Sequence, residues 1–356
     1  MSDKKDILIA PLDWGLGHTT RCIPLVKKLV KRGHNVTIAC NDFQKLVLTT
    51  YGLNVTYVFL EGYNVAYTKN GRLTLKIMGQ IPKILNSIKT ENNWVKEYVK
   101  NNKVDFIISD NRFGFYHPLV ESVYITHQIN IQSVALLNPV LFKIHAAMIN
   151  NFHHCWIPDT PTNDYAGDLS VVKNSSYNFI GLLSRFDGIE IPSDVSIDEM
   201  FDYAVLVSGP EPQRSVFEEL VVNAFNKTNE KVVIISGGGV ENTYQLNENI
   251  QFESLPDPVR FNTLLSQTKK VVLRSGYTSI MDFAILQKPL FFVPTTGQTE
   301  QEYLAKRWQE KGWAIAYDQT DFKLAAALKD AADFNYQPIP FKSFTKEALK
   351  ATLKQV

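Results

Sequence analysis

The sequence predicts an α/β protein of two domains, each a doubly wound parallel sheet. Three observations carry that expectation. Short apolar runs alternate with stretches of helical periodicity. Glycines follow the C-terminal ends of several of those runs. The pattern then restarts after about residue 202, and 356 residues suit two domains of ordinary size.

Asp6–Pro11 reads as a buried strand, Gly15–His18 as a loop, and Thr19–Lys31 as a helix with Ile23, Leu25, Val26, Leu29 and Val30 on its apolar face. Gly33 stops that helix, and Asn35–Ala39 is the next strand. Asp105–Ser109, Ser122–Thr126 and Ser133–Leu137 continue the series. Gly181–Asp202 is rich in Gly, Ser, Pro and Asp, has weak periodicity, and contains the linker. The second half opens with the strand Tyr203–Val207 and the turn Ser208-Gly209-Pro210, followed by a helix over Arg214–Asn226. Lys231–Ile235, Lys270–Leu273 and Pro289–Val293 are its further strands, and Ser343–Gln355 is a terminal helix. The expected division is a first domain over 1–185, a linker over 186–202, a second domain over 203–340, and a closing helix over 341–356 that packs back on the first domain.

Composition narrows the function classes. Hydrophobic residues make up 45% and charged residues 21%, which excludes a mainly disordered chain or a coiled coil. With 37 Lys+Arg against 36 Asp+Glu, the chain lacks the basic excess of a global nucleic-acid binder, and none is expected as a partner. Cys22, Cys40 and Cys155 are widely spaced and form neither a disulfide framework nor a C-x-x-C site, as suits a reducing cytosol. The N-terminal apolar run ends at Asp13, too soon for a secretory leader, and no window reaches about 18 uninterrupted apolar residues. The expectation is a cytoplasmic protein whose membrane contact, if it has one, is peripheral. The segment Tyr67–Lys103 is the candidate surface for that contact. It holds eight Lys/Arg among Leu73, Leu75, Ile77, Met78, Ile81, Ile84, Leu85 and Ile88, a pattern that suits anionic headgroups or, equally, a solvated helix pair with an apolar core face.

Three segments can carry chemistry. In Arg274-Ser275-Gly276-Tyr277-Thr278-Ser279-Ile280-Met281-Asp282 a strand ends and a helix begins. Such a helix start offers unpaired N–H groups to a phosphate, Gly276 lets the anion approach, and Thr278 and Ser279 add hydroxyls. Asp282 lies about one and a half turns further on, where a carboxylate can accept from ribose hydroxyls. A capped helix with Asp282 on a solvated face is the plainer alternative. Pro294–Ala305 follows the next strand, and its Glu300 and Gln301 have the acceptors and donors that grip sugar hydroxyls or, alternatively, belong to a polar loop. Asp13-Trp14-Gly15-Leu16-Gly17-His18 joins the first strand and helix. Its Gly15 and Gly17 lack a third glycine, because Arg21 or Cys22 stands where it would fall. His18 there is either a general base or a capping or core histidine. Asp110 follows the Asp105–Ser109 strand and can orient His18, or serve only as a turn residue. His153-His154-Cys155 is a weak metal candidate, since adjacent residues of an extended chain point apart. No metal and no cofactor are expected. G-x-S-x-G and P-loop patterns do not occur.

The order G-x-G-H, R-S-G-x-x-S-x-x-D, then E-Q-x-x-x-A resembles the GT-B glycosyltransferases, and within them the family-28, MurG-like N-acetylglucosaminyltransferases. The resemblance spans nearly the whole chain and is more specific in the C-terminal half. It implies two Rossmann-like domains facing a central cleft and a metal-independent hexosyltransferase. The nucleotide-sugar donor, with UDP expected as the nucleotide, would lie against Arg274, Ser275, Gly276, Thr278 and Ser279. Asp282 would hold the ribose, and Glu300 and Gln301 the sugar. Gly15, Gly17, Arg185 and Gly209 fall at further donor positions. His127 and Asn130, in Thr126–Asn130, match an acceptor-side stretch, and His18 matches the proposed base, with Asp110 behind it. The reaction implied moves a hexose or N-acetylhexosamine to a hydroxyl acceptor, of which a lipid-linked envelope precursor is the family's example. Several motifs depart from the family. The glycine loop is shortened to Trp14–His18, the acceptor stretch lacks its Glu, and Leu304 replaces an Asn. A 2-epimerase of the same fold, or a nucleotide-sugar-binding protein without turnover, is the alternative reading.

Overall fold

The computed structural model describes residues 4–65, 79–131, 138–172, 177–187, 200–238, 243–320 and 324–340. The expected strand Ser133–Leu137, the closing helix over 341–356, most of the linker and the first part of Tyr67–Lys103 lie outside them. The chain forms two compact units, each built on one parallel sheet.

The first unit contains β1 (Asp6–Pro11), α1 (Leu16–Lys31), β2 (Asn35–Cys40), α2 (Asp42–Thr49), β3 (Thr56–Phe59) and α3 (Ile81–Asn101), then β4 (Phe106–Asp110), β5 (Glu121–Ile125), α4 (Asn138–Ile149), β6 (His154–Ile157) and β7 (Tyr177–Phe179). The sheet order is β3-β2-β1-β4-β5-β6-β7. β1 and β4 are central, which is why both read as near-continuous apolar runs: Ile7–Ala10 and Phe106–Ile108 are all buried. They pair from Ile7 with Phe106 through Pro11 with Asp110, so both strands end level.

That pair is the switch point of the sheet, because β2 and β3 wind away on one side and β5 to β7 on the other. In open α/β sheets ligands bind at the carboxyl ends of such a pair. The loop after β1 is tied down there from two sides. The Leu12 amide donates to the Asp110 carbonyl at 3.0 Å. Gln44, which also completes a capping box with Asn41 at the start of α2, donates its side-chain amide to the Pro11 and Leu12 carbonyls and to Thr19 Oγ1.

The second unit repeats the plan. β8 (Phe201–Val207), α5 (Gln213–Phe225), β9 (Val232–Ser236), β10 (Ile250–Ser254), α6 (Pro258–Ser266) and β11 (Thr268–Leu273) are followed by α7 (Tyr277–Leu286), β12 (Leu290–Phe292), α8 (Thr299–Glu310), β13 (Ala314–Ala316) and α9 (Leu324–Asp333). The order β10-β9-β8-β11-β12-β13 places its switch point between β8 and β11. Val205, Val207, Phe217, Val221, Phe225, Ile234, Val272 and Phe291 form the core between α5 and the sheet.

The edges differ most from expectation. β3, β6, β7, β10 and β13 were not foreseen. At three to five residues each they are short; β3 and β7 have no fully buried side chain, and β10 has one, Ile250. β6 runs through the His153-His154-Cys155 segment. His153 Nδ1 meets Ser122, His154 Nε2 meets Glu121 at 2.8 Å, and Cys155 is buried. The three side chains therefore have separate surroundings. Among the described residues, no group of three or more His, Cys, Asp or Glu could hold a metal ion.

Candidate active site

In the first unit the level ends of β1 and β4 bring together His18, Arg21 and Asp110. Asp110 is the last residue of β4 and fully buried. His18 lies in the first turn of α1 and retains 16% side-chain exposure. Its Nδ1 is 3.3 Å from Asp110 Oδ2. Arg21, one turn further along the same helix face, is buried and clasps the same carboxylate, with Nε 2.9 Å from each oxygen and Nη2 also donating to Oδ1. The Cys22 thiol adds a 3.6 Å contact to Oδ2.

The electrostatics follow from this packing. Burial raises the Asp110 pKa, but the adjacent Arg21 and His18 outweigh burial and bring it down to about 2. His18 is shifted below its ordinary value, first by burial and then by Arg21, against the opposing pull of Asp110. At neutral pH the pair is thus a neutral imidazole donating Nδ1–H to a carboxylate, with Nε2 as the ring's basic atom. That is the equipment of an oriented general base. His127, just after β5, is buried with Nδ1 3.4 Å from Arg21 Nη1. Asn130 donates its side-chain amide to the carbonyls of Asp168 and Val171 at 2.8 and 2.9 Å, so those bonds hold two loops together.

A second buried network supports the loop from below. Arg112 pairs with Glu91 and donates to the Glu61 carbonyl at 2.6 Å, and Glu91 accepts from Tyr63 Oη at 2.6 Å and the Gly114 amide at 2.8 Å. Asp13 accepts from the Tyr63 amide at 3.1 Å. The β1–α1 loop is therefore held by α2, by β4 and by the segment around Tyr63.

In the second unit, the site residues gather at the ends of β8, β11 and β12. β11 stops at Leu273, and α7 begins after Gly276, which caps it without any side-chain hydrogen bond. A methyl group built at Gly276 would meet nothing within 4 Å, and its φ of −70° suits any residue, so the fold itself does not require glycine there. Gly209, after β8, has φ of 109°, a conformation other residues rarely adopt. Thr278 and Ser279 are half-buried on the first turn of α7. Asp282 is 1% exposed, not on a solvated face.

Ser275 and Gln301 cross-link two of the expected segments. Ser275 Oγ donates to the Gln301 carbonyl at 2.7 Å, and Gln301 Oε1 accepts from the Thr295 amide at 2.8 Å. With its Oε1 so used, Gln301 has its side-chain NH₂ as its donor group. Glu300 is half-buried beside it on α8. Arg274 points into the unit. Nη1 donates to the carbonyls of Val293 and Pro294 at 2.8 and 3.1 Å, and the guanidinium lies 4.2 Å over the Phe217 ring. Burial pulls its pKa down to about 9. These bonds tie β11 to the loop after β12. Arg185 is half-buried at the end of the first unit.

The sequence had singled out His18 and Asp110 but read Arg21 only as a missing glycine. Its spacing, three residues after His18 on one helix face, was the available signal. Gln44, Glu91 and Arg112 sit in segments without motif character, and only the fold shows what they hold.

Residues 208–355 match the glycosyltransferase family 28 C-terminal domain. A relative described as an uncharacterized glycosyltransferase, from Methanosarcina mazei, is 21% identical and aligns over 84% of this chain and 82% of its own. Among solved structures, the glycotransferase of kitacinnamycin superposes with a TM-score of 0.66 at 17% identity, over 100% of this chain and 95% of that one. The spinosyn rhamnosyltransferase SpnG complexed with thymidine diphosphate gives 0.60 at 15%, over 98% and 92%. MurG of Acinetobacter baumannii gives 0.53 at 14%, over 98% and 95%. The fold is that of the GT-B glycosyltransferases.

Proposed function

From the GT-B fold and the family 28 match, we infer that the chain is a glycosyltransferase that moves a hexosyl or N-acetylhexosaminyl group from a nucleotide-diphosphate sugar to a hydroxyl acceptor. The observation that carries the donor half is the start of α7, where the N-cap Gly276 has no side chain to cover it, at the switch point of the second sheet and inside the matched domain. The N–H groups of a helix start and the positive end of the helix dipole suit a diphosphate, and they suit it more as negative charge grows on the leaving group. Ser275, Thr278 and Ser279 flank that start. Asp282 is the proposed ribose contact and Gln301, through its NH₂, the proposed sugar contact.

In the reaction the acceptor oxygen bonds to the anomeric carbon as the bond from that carbon to the diphosphate oxygen breaks. The nucleoside diphosphate leaves with the bonding pair. The acceptor proton passes to His18 Nε2, and Asp110 stabilises the imidazolium that forms. UDP is the proposed nucleotide, and the thymidine diphosphate bound by a structural neighbour makes dTDP-sugars the first comparison.

A lipid-linked acceptor is the further reading that α3 favours. Its first turns leave Ile81 41% and Leu85 48% exposed beside Lys83 and Lys89, so this part of the helix face is not consumed as core. Among the described residues, no helix is long and apolar enough to cross a membrane.

Incubation with UDP- and dTDP-sugars, with and without cell-envelope lipid extract, tests the proposal. Acceptor-dependent nucleotide release is the expected result. Interconversion of the donor sugar alone would instead identify an epimerase, and binding without turnover a non-catalytic nucleotide-sugar-binding protein. Sedimentation with anionic vesicles, reversed by salt, tests the lipid surface separately.

A further inference from the structure

Arg21 touches both histidines of the first unit's site, one through Asp110 and one directly. A guanidinium has five N–H donors and no acceptor, and an ionised carboxylate has acceptors only. Those two facts fix the proton on each ring. His18 Nδ1 faces Asp110 Oδ2 at 3.3 Å, so Nδ1 carries the hydrogen and Nε2 the lone pair. His127 Nδ1 faces Arg21 Nη1 at 3.4 Å, so Nδ1 is the acceptor and the hydrogen of that ring sits on Nε2. The two rings are opposite tautomers, and one buried cation enforces both.

We propose that Arg21 is the positioning residue of this site, holding His18 and His127 in opposite tautomers so that His18 is the base of the pair and His127 a ring N–H donor. Among the described residues, the titratable and charged groups that act on His18 are Arg21 from α1, Asp110 from β4 and His127 from the segment after β5, while the Cys22 thiol touches Asp110. The only cation among them is Arg21, and it is spent on the carboxylate that faces His18. Asp110 is thereby kept ionised as the acceptor of Nδ1–H. A second base within the same group would compete for the acceptor proton. The Arg21–His127 contact removes that competition by occupying the one lone pair of the His127 ring. The inference rests on the reading of His18 as base for its catalytic meaning, though not for its geometry.

Long-range proton–nitrogen spectra of the full chain, labelled with ¹⁵N-histidine, report the tautomers directly, with assignments from His18→Gln and His127→Gln. At neutral pH, His18 is expected to be protonated at Nδ1 and His127 at Nε2. Arg21→Lys keeps the cation but lacks the second nitrogen arm. In it, the His127 signals should move toward the average of both tautomers while those of His18 stay in place. His127 protonated at Nδ1 in the native protein, or His127 signals unchanged in Arg21→Lys, would overturn the proposal. If Arg21→Lys does not fold, the native spectrum decides alone. Turnover of His18→Ala is measured in parallel. Expected tautomers with an undiminished rate would remove His18 as base and leave the Arg21 assignment standing. Wrong tautomers with a slow His18→Ala would do the reverse.

Discussion

Two glycines at the carboxyl edge of the second sheet look alike in sequence and differ in kind. Gly209 is needed by its backbone, at φ of 109°, and Gly209→Ala is expected to cost about 1–3 kcal/mol of stability in urea titration. Gly276 is needed by nothing in the fold, since a Cβ there meets no atom within 4 Å. Gly276→Ala should hold stability within about 1 kcal/mol yet weaken nucleoside diphosphate binding at least tenfold by calorimetry. Unchanged affinity would show that no anion packs against that residue. In the first unit, His18→Ala is expected to slow turnover by about 10²–10⁴-fold with donor binding intact. Because the His18 pKa is lowered, the acid limb of kcat/KM should fall below 6.5, the imidazole's ordinary value. Stability moves the same way. The unfolded chain protonates the Asp110 carboxyl near 3.8, and the native state only near 2. Asp110 therefore stabilises the native state fully above about pH 4, and that contribution is lost as pH falls from about 4 to 2. The contact between His18 and Asp110 was legible because each stands just after a predicted strand, in a loop that the sequence marks. That of Arg21 was not, because its spacing from His18 puts it on the same helix face but does not say which carboxylate it meets.

Elements show the same division between what pattern reveals and what only packing decides. Central strands such as β4 and β9 were legible because burial on both faces demands unbroken apolar runs. Edge strands such as β3, with burial on neither face complete, carry no such demand and left no trace. The longest described helix, α3, has just two fully buried side chains, Glu91 and Val95. Trp94, Tyr98 and Val99 pack half-buried beside Val95 against the sheet, and a polar anchor adds to that apolar contact. Glu91 meets Arg112, Tyr63 and the Gly114 amide, and Gly114 approaches so closely that a Cβ would lie 2.2 Å from the Ile88 carbonyl oxygen. Glu91→Ala strands a buried guanidinium and should cost about 3–5 kcal/mol in chemical denaturation. The double change Glu91→Gln with Arg112→Met removes both charges together and should recover most of that loss. A Glu91→Ala protein as stable as the native one would mean that water reaches Arg112. The amphipathic reading of Tyr67–Lys103 fits α3 in part: the helix has an apolar face, but its N-terminal end, with Ile81 and Leu85, is not covered by the described residues.

At the scale of the whole chain, the two sheets share a winding plan and present different chemistry at their switch points. The ends of β1 and β4 join a histidine, a carboxylate and a guanidinium in one contact, whereas the start of α7 and the loop after β12 offer mainly backbone N–H groups, hydroxyls and an amide. Proton transfer needs a group that changes charge, and diphosphate capture needs donors that do not. That division gives a footprint for the nucleotide. Hydrogen exchange of the full chain in saturating UDP or dTDP should slow at 208–214, 274–282 and 294–301. Amides that exchange through openings which keep the nucleotide bound should be unaffected. At 100 times its dissociation constant the nucleotide adds about 2.7 kcal/mol to the state that binds it, so the protection at α7 should reach roughly 100-fold if opening there releases the ligand. Protection absent from 274–282 while present elsewhere would move the donor away from α7. The Ser275–Gln301 and Gln301–Thr295 bonds join two of these loops, so 274–282 and 294–301 should gain protection together, at the same nucleotide concentration. Ser275→Ala removes the first of those bonds and should raise, for both segments alike, the nucleotide concentration that gives half-protection.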